Sequence, residues 1–348
     1  MTTIFNPPFS HPKVTVVILN WNGKKHLEQF LPSVLRSIYP NLTIVVGDNA
    51  STDESVAFVK AKFPAVNIIQ NPHNYGYAGG YNRAMTQLDS DYYVLLNSDV
   101  EVTPNWIAPI IDLMESDKLV AVVQPKIKSW NYKNEFEYAG AAGGFIDKYG
   151  YPFCRGRIFD AIEDDEGQYN DSREIFWASG AALFVRKTYW DELKGLDETF
   201  FAHMEEVDFC WRLKNKGYKV MYCAQSLVYH LGGGTLPHEN PLKTFLNFRN
   251  NLRMLYKNLP KRNFIFIVTA RLCLDFLALI KFLIEGKFKS ANAVHKAHVD
   301  FVKYVCNPKY RIKNRQSVLK NKSGFYAGSI VFDYFVRRIK SFDKLNVE

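Results

Sequence analysis

The sequence predicts an α/β protein in which a mostly parallel central sheet is flanked by helices and followed by a C-terminal helical, basic extension. In the first half, short apolar runs alternate with helical patterns, which is typical of parallel strands joined by crossover helices. The charge is uneven, because residues 286–348 carry 14 Lys and Arg against 4 Asp and Glu, whereas residues 1–285 carry 30 against 31. Such a tail suits an anionic surface, either phospholipid or nucleic acid.

The elements are predicted in order from the same patterns. Strands of the first half lie at 14–19, 42–46, 66–69 and 92–96, with helices between them and a glycine-rich stretch at 71–83. Ser51 or Thr52 is expected to cap the second helix.

The second half begins with a helix at 107–114 and a strand at 119–123, followed by a polar insertion at 126–173. We interpret the insertion as loops and short strands that cover a site. The later elements are a strand at 176–185, a helix that opens near Glu205 and ends at Gly217, a strand at 218–223 and a helix at 240–259.

The motifs that the sequence lacks make several classes of protein improbable. No G-x-G-x-x-G follows the first strand and no G-x-x-x-x-G-K-[ST] occurs, which argues against dinucleotide-dependent dehydrogenases and P-loop ATPases. Five cysteines lie far apart without a C-x-x-C pair, which argues against a disulfide framework or a structural zinc site. Residues 1–13 lack the apolar core of a signal peptide, so a reducing cytoplasm is expected.

Polar clusters follow several of the predicted strands. Asp99 comes after the buried run at 92–96, and in open α/β sheets ligands bind at the carboxyl ends of the strands. A lone Asp after a strand, such as Asp99 taken by itself, is usually a turn residue. Glu205 and Glu206 suit the dipole at a helix start, and Asp208 and Arg212 stand four apart and can pair along that helix.

The order of these clusters resembles family 2 glycosyltransferases, and within them the bacterial rhamnosyltransferase-like branch. The resemblance covers roughly residues 12–255. The segments that carry it are VVILNWN (16–22), DNASTD (48–53), NYGYAGG (74–80), LLNSD (95–99), EEVD (205–208) and HLGGG (230–234).

The resemblance implies the GT-A fold and direct displacement with inversion at the anomeric carbon. It divides a catalytic domain, 12–235, into a nucleotide-binding half at 12–103 and an acceptor-binding half at 104–235. Residues 236–348 then form a C-terminal helical region, amphipathic and basic.

The family's motifs also imply roles for acidic residues. Asp99 and His230 are expected to hold Mn²⁺ or Mg²⁺, which offsets the charge on the departing nucleotide diphosphate. Asn97 stands where many relatives carry a first Asp, so metal affinity is expected to be low. Inversion requires a base for the acceptor hydroxyl, and the motif places it at Glu206, with Glu205 and Asp208 as alternatives.

The same resemblance implies a set of donor-binding residues. Asp48 matches the family residue that hydrogen-bonds the nucleotide base, with Asn20 and Asn22 along the same edge. The other residues expected to contact the donor are Asn74, Gly76, Gly79, Gly80, Asn97, Trp177, Gly180 and Arg249.

The C-terminal region contains an apolar segment at 264–284. Arg271, Asp275 and Lys281 interrupt it, which makes a bilayer-spanning helix improbable. An amphipathic helix at an anionic membrane surface is favoured, and the alternative is that the segment packs on the catalytic part while the cations are only solvated. Nucleic acid is not expected as a partner, because no recognised binding motif accompanies the charge.

The sequence thus predicts an inverting, metal-dependent transferase. Its donor would be dTDP-rhamnose or a UDP-sugar, and its acceptor a glycan or lipid-linked hydroxyl used in cell-surface polysaccharide synthesis at the inner face of the cytoplasmic membrane. One alternative is a sugar nucleotidyltransferase. It would show a Gly-rich, basic turn after the first strand, and residues 20–23 (NWNG) do not form such a turn. Another, a non-catalytic protein that binds nucleotide-sugars or carbohydrates at the membrane surface, needs no base such as Glu206. The oligomeric state is left open, with a homodimer as one option.

Overall fold

The fold is that of a computed structural model, which describes residues 11–232, 240–312 and 318–347. In chain order its strands and helices are β1 (Val14–Asn20), α1 (Lys24–Leu35), β2 (Leu42–Asp48), α2 (Ser55–Lys62), β3 (Asn67–Gln70), α3 (Gly76–Met85), β4 (Tyr92–Asn97), β5 (Val100–Val102), α4 (Ala108–Ser116), β6 (Val120–Ser129), β7 (Gly144–Asp147), β8 (Pro152–Cys154), β9 (Arg157–Ile158), β10 (Ala161–Ile162), β11 (Arg173–Glu174), β12 (Ala182–Arg186), α5 (Lys187–Leu193), α6 (Glu205–Lys216), β13 (Lys219–His230), α7 (Pro241–Asn258), α8 (Lys261–Ile284), α9 (Phe288–Cys306), β14 (Phe325–Tyr326) and α10 (Ile330–Phe335).

The larger sheet has nine strands, which are β1 to β6 from the first part of the chain and β11 to β13 from the second. Its order is β11-β13-β6-β12-β4-β1-β2-β3, and β5 pairs with β13. The strands β4, β1, β2 and β3 are parallel, as predicted, whereas β12 runs antiparallel between β4 and β6. Asn20 lies opposite Asp48, and Leu19 lies opposite Asn97. The polar residues that follow these strands therefore meet at one edge of the sheet.

The polar insertion forms the second sheet, which confirms the prediction of short strands. Its order is β10-β9-β8-β7-β14, so its last strand comes from the C-terminal region. Phe145 of β7 packs against Phe342 with ring centroids 4.6 Å apart. The C-terminal region is thereby joined to the part of the chain that precedes α6.

Three local predictions are wrong. The strand expected at 176–185 begins at Ala182, because 176–181 thread through the core without a strand ladder. The strand expected at 218–223 extends to His230, since it pairs with both β5 and β6. Neither Ser51 nor Thr52 caps α2, whose first residue, Ser55, donates its backbone N–H to Asp53 instead.

The C-terminal helices share the core of the catalytic part. Met254, Phe301 and Phe342 are buried in the same hydrophobic cluster as Phe145 and Leu213. The predicted domain boundary at 235 falls at residues 233–239, outside the described residues, and so do Gly233 and Gly234 of the HLGGG motif. Within the described ranges, no helix is long and apolar enough to cross a membrane.

Candidate active site

Asp99 and His230 meet at the carboxyl edge of the sheet although they are far apart in sequence. The antiparallel ladder of β5 and β13 pairs Val100 with His230, which brings His230 Nε2 to 3.2 Å from Asp99 Oδ1. The amide of Asn97 lies 3.5 Å from the same ring nitrogen. Asp99 and His230 are nearly buried, with 7% and 6% of their surfaces exposed.

Glu137, which sequence reasoning did not single out, lies on the other side of the His230 ring. Its Oε1 is 3.3 Å from His230 Nδ1, within ion-pair distance but without hydrogen-bond alignment, and its Oε2 accepts from the backbone N–H of Ala139 at 2.5 Å. Burial alone would lower the pKa of His230, but the carboxylates of Asp99 and Glu137 raise it well above its ordinary value. Burial would raise the pKa of Asp99, and His230 instead holds it low.

This arrangement fits a divalent cation in its donor chemistry. One carboxylate and one imidazole nitrogen converge, a neutral amide stands beside them, and a second carboxylate faces the far nitrogen of the ring, where it would fix the ring orientation. Among the described residues, no cluster of three or more His, Cys, Asp or Glu could hold a metal ion. Two protein ligands leave further coordination positions for the oxygens of a bound phosphate.

The proposed nucleotide edge is formed by the turns after β1 and β2. Asn20 Nδ2 donates to Asp48 Oδ1 and to Ser51 Oγ, both at 3.1 Å, while Asn20 Oδ1 is buried without a partner among the described residues. Asn22 Oδ1 accepts from the backbone N–H of Thr52 at 2.7 Å. The predicted residues Asn20, Asn22 and Asp48 are therefore brought together, in a network that orders both turns.

Asn49, named earlier only as part of a motif, joins this edge to the start of α3. Its Nδ2 donates to Asn74 Oδ1 at 2.9 Å and to the carbonyl of Gly76 at 3.0 Å. Gly76 has φ +70°, and a Cβ there would lie 2.4 Å from the carbonyl oxygen of Phe201. This turn therefore requires glycine, both for its backbone conformation and for the close approach of Phe201.

Gly79 and Gly80 do not lie in a phosphate-cradling loop. Both belong to α3, where a Cβ on Gly80 would lie 2.7 Å from Leu19 of β1 and one on Gly79 would lie 2.8 Å from Tyr75. The small size of Gly80 lets α3 pack on β1, and that of Gly79 avoids Tyr75 at the start of the helix, so we withdraw both from the set of donor contacts.

Two tyrosines of α3 lie between the Asp99–His230 pair and the acidic pair Glu205–Glu206. The hydroxyl of Tyr81 donates to the carbonyl of Leu96 at 2.9 Å, and that of Tyr77 donates to the carbonyl of Gly180 at 2.6 Å. Their rings lie 4.7 Å apart. Burial raises the pKa of Tyr77 well above its ordinary value, and the charges of Glu205 and Glu206 raise it further. Gly180, a predicted site residue, thus contacts the hydroxyl of Tyr77.

Glu205 and Glu206 open α6, and neither carboxyl group forms an ion pair within the described residues, although backbone N–H groups hydrogen-bond both. The Oε2 atoms of both are buried without a hydrogen-bond partner in the described part of the chain, although Glu206 as a whole is partly exposed. Burial raises the pKa of Glu206 to about 7, and burial together with the Glu206 charge raises that of Glu205 well above its ordinary value. A carboxylate with a pKa near neutrality can accept a proton and release it again.

The loop before this helix is strained. Phe201, His203 and Met204 all have left-handed backbones, with φ of 67°, 69° and 72°. Such conformations cost free energy in residues other than glycine and are held by their surroundings. The carbonyl of Phe201 accepts from the backbone N–H of Tyr77 at 2.7 Å, so the loop is tied to the start of α3. Burial lowers the pKa of His203 to about 4, and its buried Nε2 has no hydrogen-bond partner among the residues that the structure describes.

Arg249 and Asn250 hold this loop. Asn250 Nδ2 donates to the carbonyls of Phe200, Ala202 and His203 at 2.7–3.0 Å. Arg249 Nη2 donates to the carbonyl of Phe200 at 2.9 Å. We therefore interpret Arg249 as a positioning residue for the acidic pair instead of a phosphate contact.

Trp177 belongs to the core. It is 5% exposed, and its indole N–H donates to the carbonyl of Phe145 at 2.8 Å. A Cβ on Gly144 would lie 2.3 Å from its ring. Because neither face of the ring is free for a sugar, we withdraw Trp177 from the donor site.

Asp208 is committed to an ion-pair network. It is fully buried, its Oδ2 accepts from Arg212 Nε and Lys257 Nζ, both at 2.8 Å, and its Oδ1 accepts from Asn258 Nδ2 at 2.8 Å. The network ties α6 to α7. Asp208 is therefore structural, and it is not available as the base.

We expect Asp208→Ala to lower the free energy of unfolding by about 3 kcal/mol, because the partly buried Arg212 and Lys257 lose a fully buried counter-charge, although Lys257 keeps its pair with Asp197. Urea denaturation measures this. The matched control is Asp191→Ala, which removes the same i,i+4 pairing from Lys187 at the surface and should cost no more than about 1 kcal/mol. Equal effects in the two variants would contradict the structural role of Asp208.

The chain is similar to glycosyltransferases in sequence and in structure. Residues 15–172 match the family model described as Glycosyl transferase family 2. The N-acetylglucosaminyl-diphospho-decaprenol L-rhamnosyltransferase of Mycobacterium tuberculosis is 25% identical over 229 residues, which cover 62% of this chain and 75% of the relative. The pre-mycofactocin glycosyltransferase of the same organism is 28% identical over 223 residues, covering 64% of this chain and 43% of the relative.

Among solved structures, the mannosyltransferase PcManGT of Pyrobaculum calidifontis, determined with GDP-Man and Mn²⁺, aligns with a TM-score of 0.52. The alignment has 14% identity and covers 86% of this chain and 90% of that one. The chain is thus a nucleotide-sugar glycosyltransferase with the GT-A fold. It carries a family 2 glycosyltransferase domain, which confirms the resemblance stated from its motifs.

Proposed function

We propose that this enzyme transfers a sugar with inversion, and with the help of a divalent cation, from a nucleotide-diphosphosugar to a hydroxyl group. The observation that carries the proposal is the pair of carboxyl groups at the start of α6, which form no ion pair in the part of the chain that the structure describes and lie beside the same tyrosine pair that neighbours Asp99. Inverting transfer needs one base and no enzyme nucleophile. Glu206 is the proposed base, because it is the partly exposed member of the pair.

In the proposed reaction the acceptor hydroxyl oxygen attacks the anomeric carbon while the sugar–phosphate bond breaks. The proton of the hydroxyl passes to a carboxylate oxygen of Glu206, and the nucleoside diphosphate leaves with the bonding electron pair. Asp99 and His230 would hold Mn²⁺ or Mg²⁺, which neutralises the charge that develops on the diphosphate. Glu137 keeps the His230 ring in place, and Asn20, Asn22 and Asp48 orient the nucleotide.

The name of the mycobacterial relative supports one choice of substrates. That protein is a rhamnosyltransferase acting on a diphospho-decaprenol acceptor. We therefore propose dTDP-rhamnose, with a UDP-sugar as the alternative donor, and a lipid-linked or glycan acceptor in cell-surface polysaccharide synthesis. A lipid-linked acceptor would bring the enzyme to the inner face of the cytoplasmic membrane.

We expect the purified protein, incubated with manganese and each candidate donor, to release a free nucleoside diphosphate. Chromatography of the products separates this outcome from its rivals. Release of pyrophosphate from a parallel incubation with a nucleoside triphosphate and a sugar 1-phosphate would favour a sugar nucleotidyltransferase, and no turnover of any donor in the presence of acceptor would favour a carbohydrate-binding protein. Boiled protein and manganese-free samples serve as controls.

A further inference from the structure

Helix α8 presents apolar side chains to the solvent and buries charged ones. Phe266, Leu277 and Ile284 are 71%, 61% and 82% exposed. The exposed face of α8 consists of Ile265, Phe266, Phe276, Leu277, Ile280, Leu283 and Ile284, with Thr269 and Cys273 between them. These positions recur every three or four residues, so they form one continuous stripe along six turns.

The opposite face of α8 carries an ion pair into the interior. Arg271 Nε donates to Asp275 Oδ1 at 2.8 Å, and both side chains are buried. The ring of Tyr151 lies 3.6 Å from the Arg271 guanidinium, and His298 of α9 lies 3.2 Å from Asp275. These contacts fix the rotation of the helix about its axis.

Helix α8 is apolar on both sides, because Ile267 and Val268 on its inner side are buried in the core cluster. A helix between a protein core and water turns its apolar face inward, because apolar area removed from water is stabilising and a buried charge is costly. Here the aliphatic and aromatic stripe points outward, and no described residue covers it. We therefore expect an apolar partner outside the protein to cover the stripe.

Cations lie at both ends of the stripe. At its start, Lys148 and Arg262 line a cavity of about 340 Å³ that Phe266 also borders. At its end stand Lys281, Lys287 and Lys289, and Glu285 lies between the first two. An apolar stripe with basic ends matches the hydrocarbon boundary and the anionic headgroups of a phospholipid leaflet.

We propose that the exposed face of α8 docks on an anionic phospholipid leaflet, with the helix axis parallel to the membrane plane. The stripe enters the acyl boundary, and the cations at its two ends contact lipid phosphates. The inference rests on the proposed function only in that a lipid-linked acceptor gives the docking a purpose. The surface itself is independent of the active-site residues.

The test uses full-length protein, because Phe301, Tyr326 and Phe342 belong to the common core and truncation after α7 would expose it. The parent protein should sediment with vesicles of phosphatidylglycerol and phosphatidylcholine in equal parts. The variant F276Q/L277Q/I280Q should lower the vesicle partition coefficient by at least about tenfold. The control I38Q/L119Q/Y132Q removes three comparably exposed apolar side chains elsewhere and should sediment like the parent.

Charge is tested separately. K287E/K289E should weaken sedimentation with these vesicles, and added salt should weaken it in the parent, since screening shortens the reach of the cations. A parent protein that ignores the vesicles at low salt, or a stripe variant that binds like the parent, overturns the proposal. So does a parent that is dimeric in sedimentation velocity while the stripe variant is monomeric and neither binds vesicles, because the stripe would then be a subunit interface.

Release of nucleoside diphosphate with a water-soluble acceptor and no vesicles distinguishes this proposal from the proposed function. The stripe variant should keep that activity. Vesicle binding without any transferase activity in the parent would count against the proposed function and leave the docking surface supported.

Discussion

Glu206→Gln is expected to bind the donor almost normally and to transfer sugar about 10²–10⁴-fold more slowly than the parent, which is the usual contribution of a general base. The substitution keeps the shape of the side chain and removes the proton acceptor. Glu206→Asp retains a carboxylate, so it should keep more activity than Glu206→Gln. Steady-state rates with saturating donor measure the effect, and Glu192→Gln, a surface carboxylate paired with Lys216, is the control.

The pH dependence of the parent gives a second measurement of the same group. Burial raises the pKa of Glu206 to about 7, and a base acts only when it is deprotonated. The rate should therefore rise with pH through about 7 and level off above it, and this limb should vanish in Glu206→Gln. Normal transfer by Glu206→Gln together with an inactive Glu205→Gln would move the base to Glu205.

Asp99→Asn is expected to lower turnover by about two to three orders of magnitude, comparable to the loss of one strong electrostatic stabiliser of a transition state. The amide is neutral, so it holds a cation weakly and no longer pairs with His230. His230→Ala should lose less and recover partly at high manganese concentration. Activity over a manganese titration measures both variants.

A thermal-shift titration tests Asp99 without relying on turnover. Binding to the native state raises its stability by mass action, so manganese with nucleoside diphosphate should raise the Tm of the parent. The shift should shrink in Asp99→Asn and persist in Asp112→Asn, an exposed acid on α4. Identical shifts and identical turnover in Asp99→Asn and the parent would remove Asp99 from the site.

Much of the sheet edge was predictable, because buried strands leave apolar runs and the polar residues after them leave motifs. Asn20, Asp48 and Asp99 were placed in this way. Glu137 was not, since it lies in an irregular insertion where no periodic pattern marks a side chain that faces His230. Its contact depends on the pairing of β6 with β13, which sets Ser129 opposite His230 and which no local pattern in the sequence predicts.

Other differences arise where packing overrides local preference. Gly79 and Gly80 disfavour a helix in isolation, yet both lie in α3, where a side chain at Gly80 would collide with Leu19 and one at Gly79 with Tyr75. The ring of Trp177 is of a type that can stack on a sugar, but its indole N–H donates to the carbonyl of Phe145 in the core. In the segment at 264–284 the sequence shows Arg271 and Asp275 only as interruptions of an apolar run, whereas in the structure they form an ion pair on the buried side of the helix.

The pairing of β5 with β13 also affects the order in which the protein folds during synthesis. Strands β1 to β4 lie within the first 97 residues and can pair early, but Val100 meets His230 only after β13 has left the ribosome. Because closing a long loop costs chain entropy before its contacts form, this pairing is expected to be among the late steps of folding. A nascent chain synthesised as far as α5 would contain most of the nucleotide edge but would lack the Asp99–His230 pair. Such a chain could bind a nucleotide-sugar donor, but it could not yet transfer the sugar.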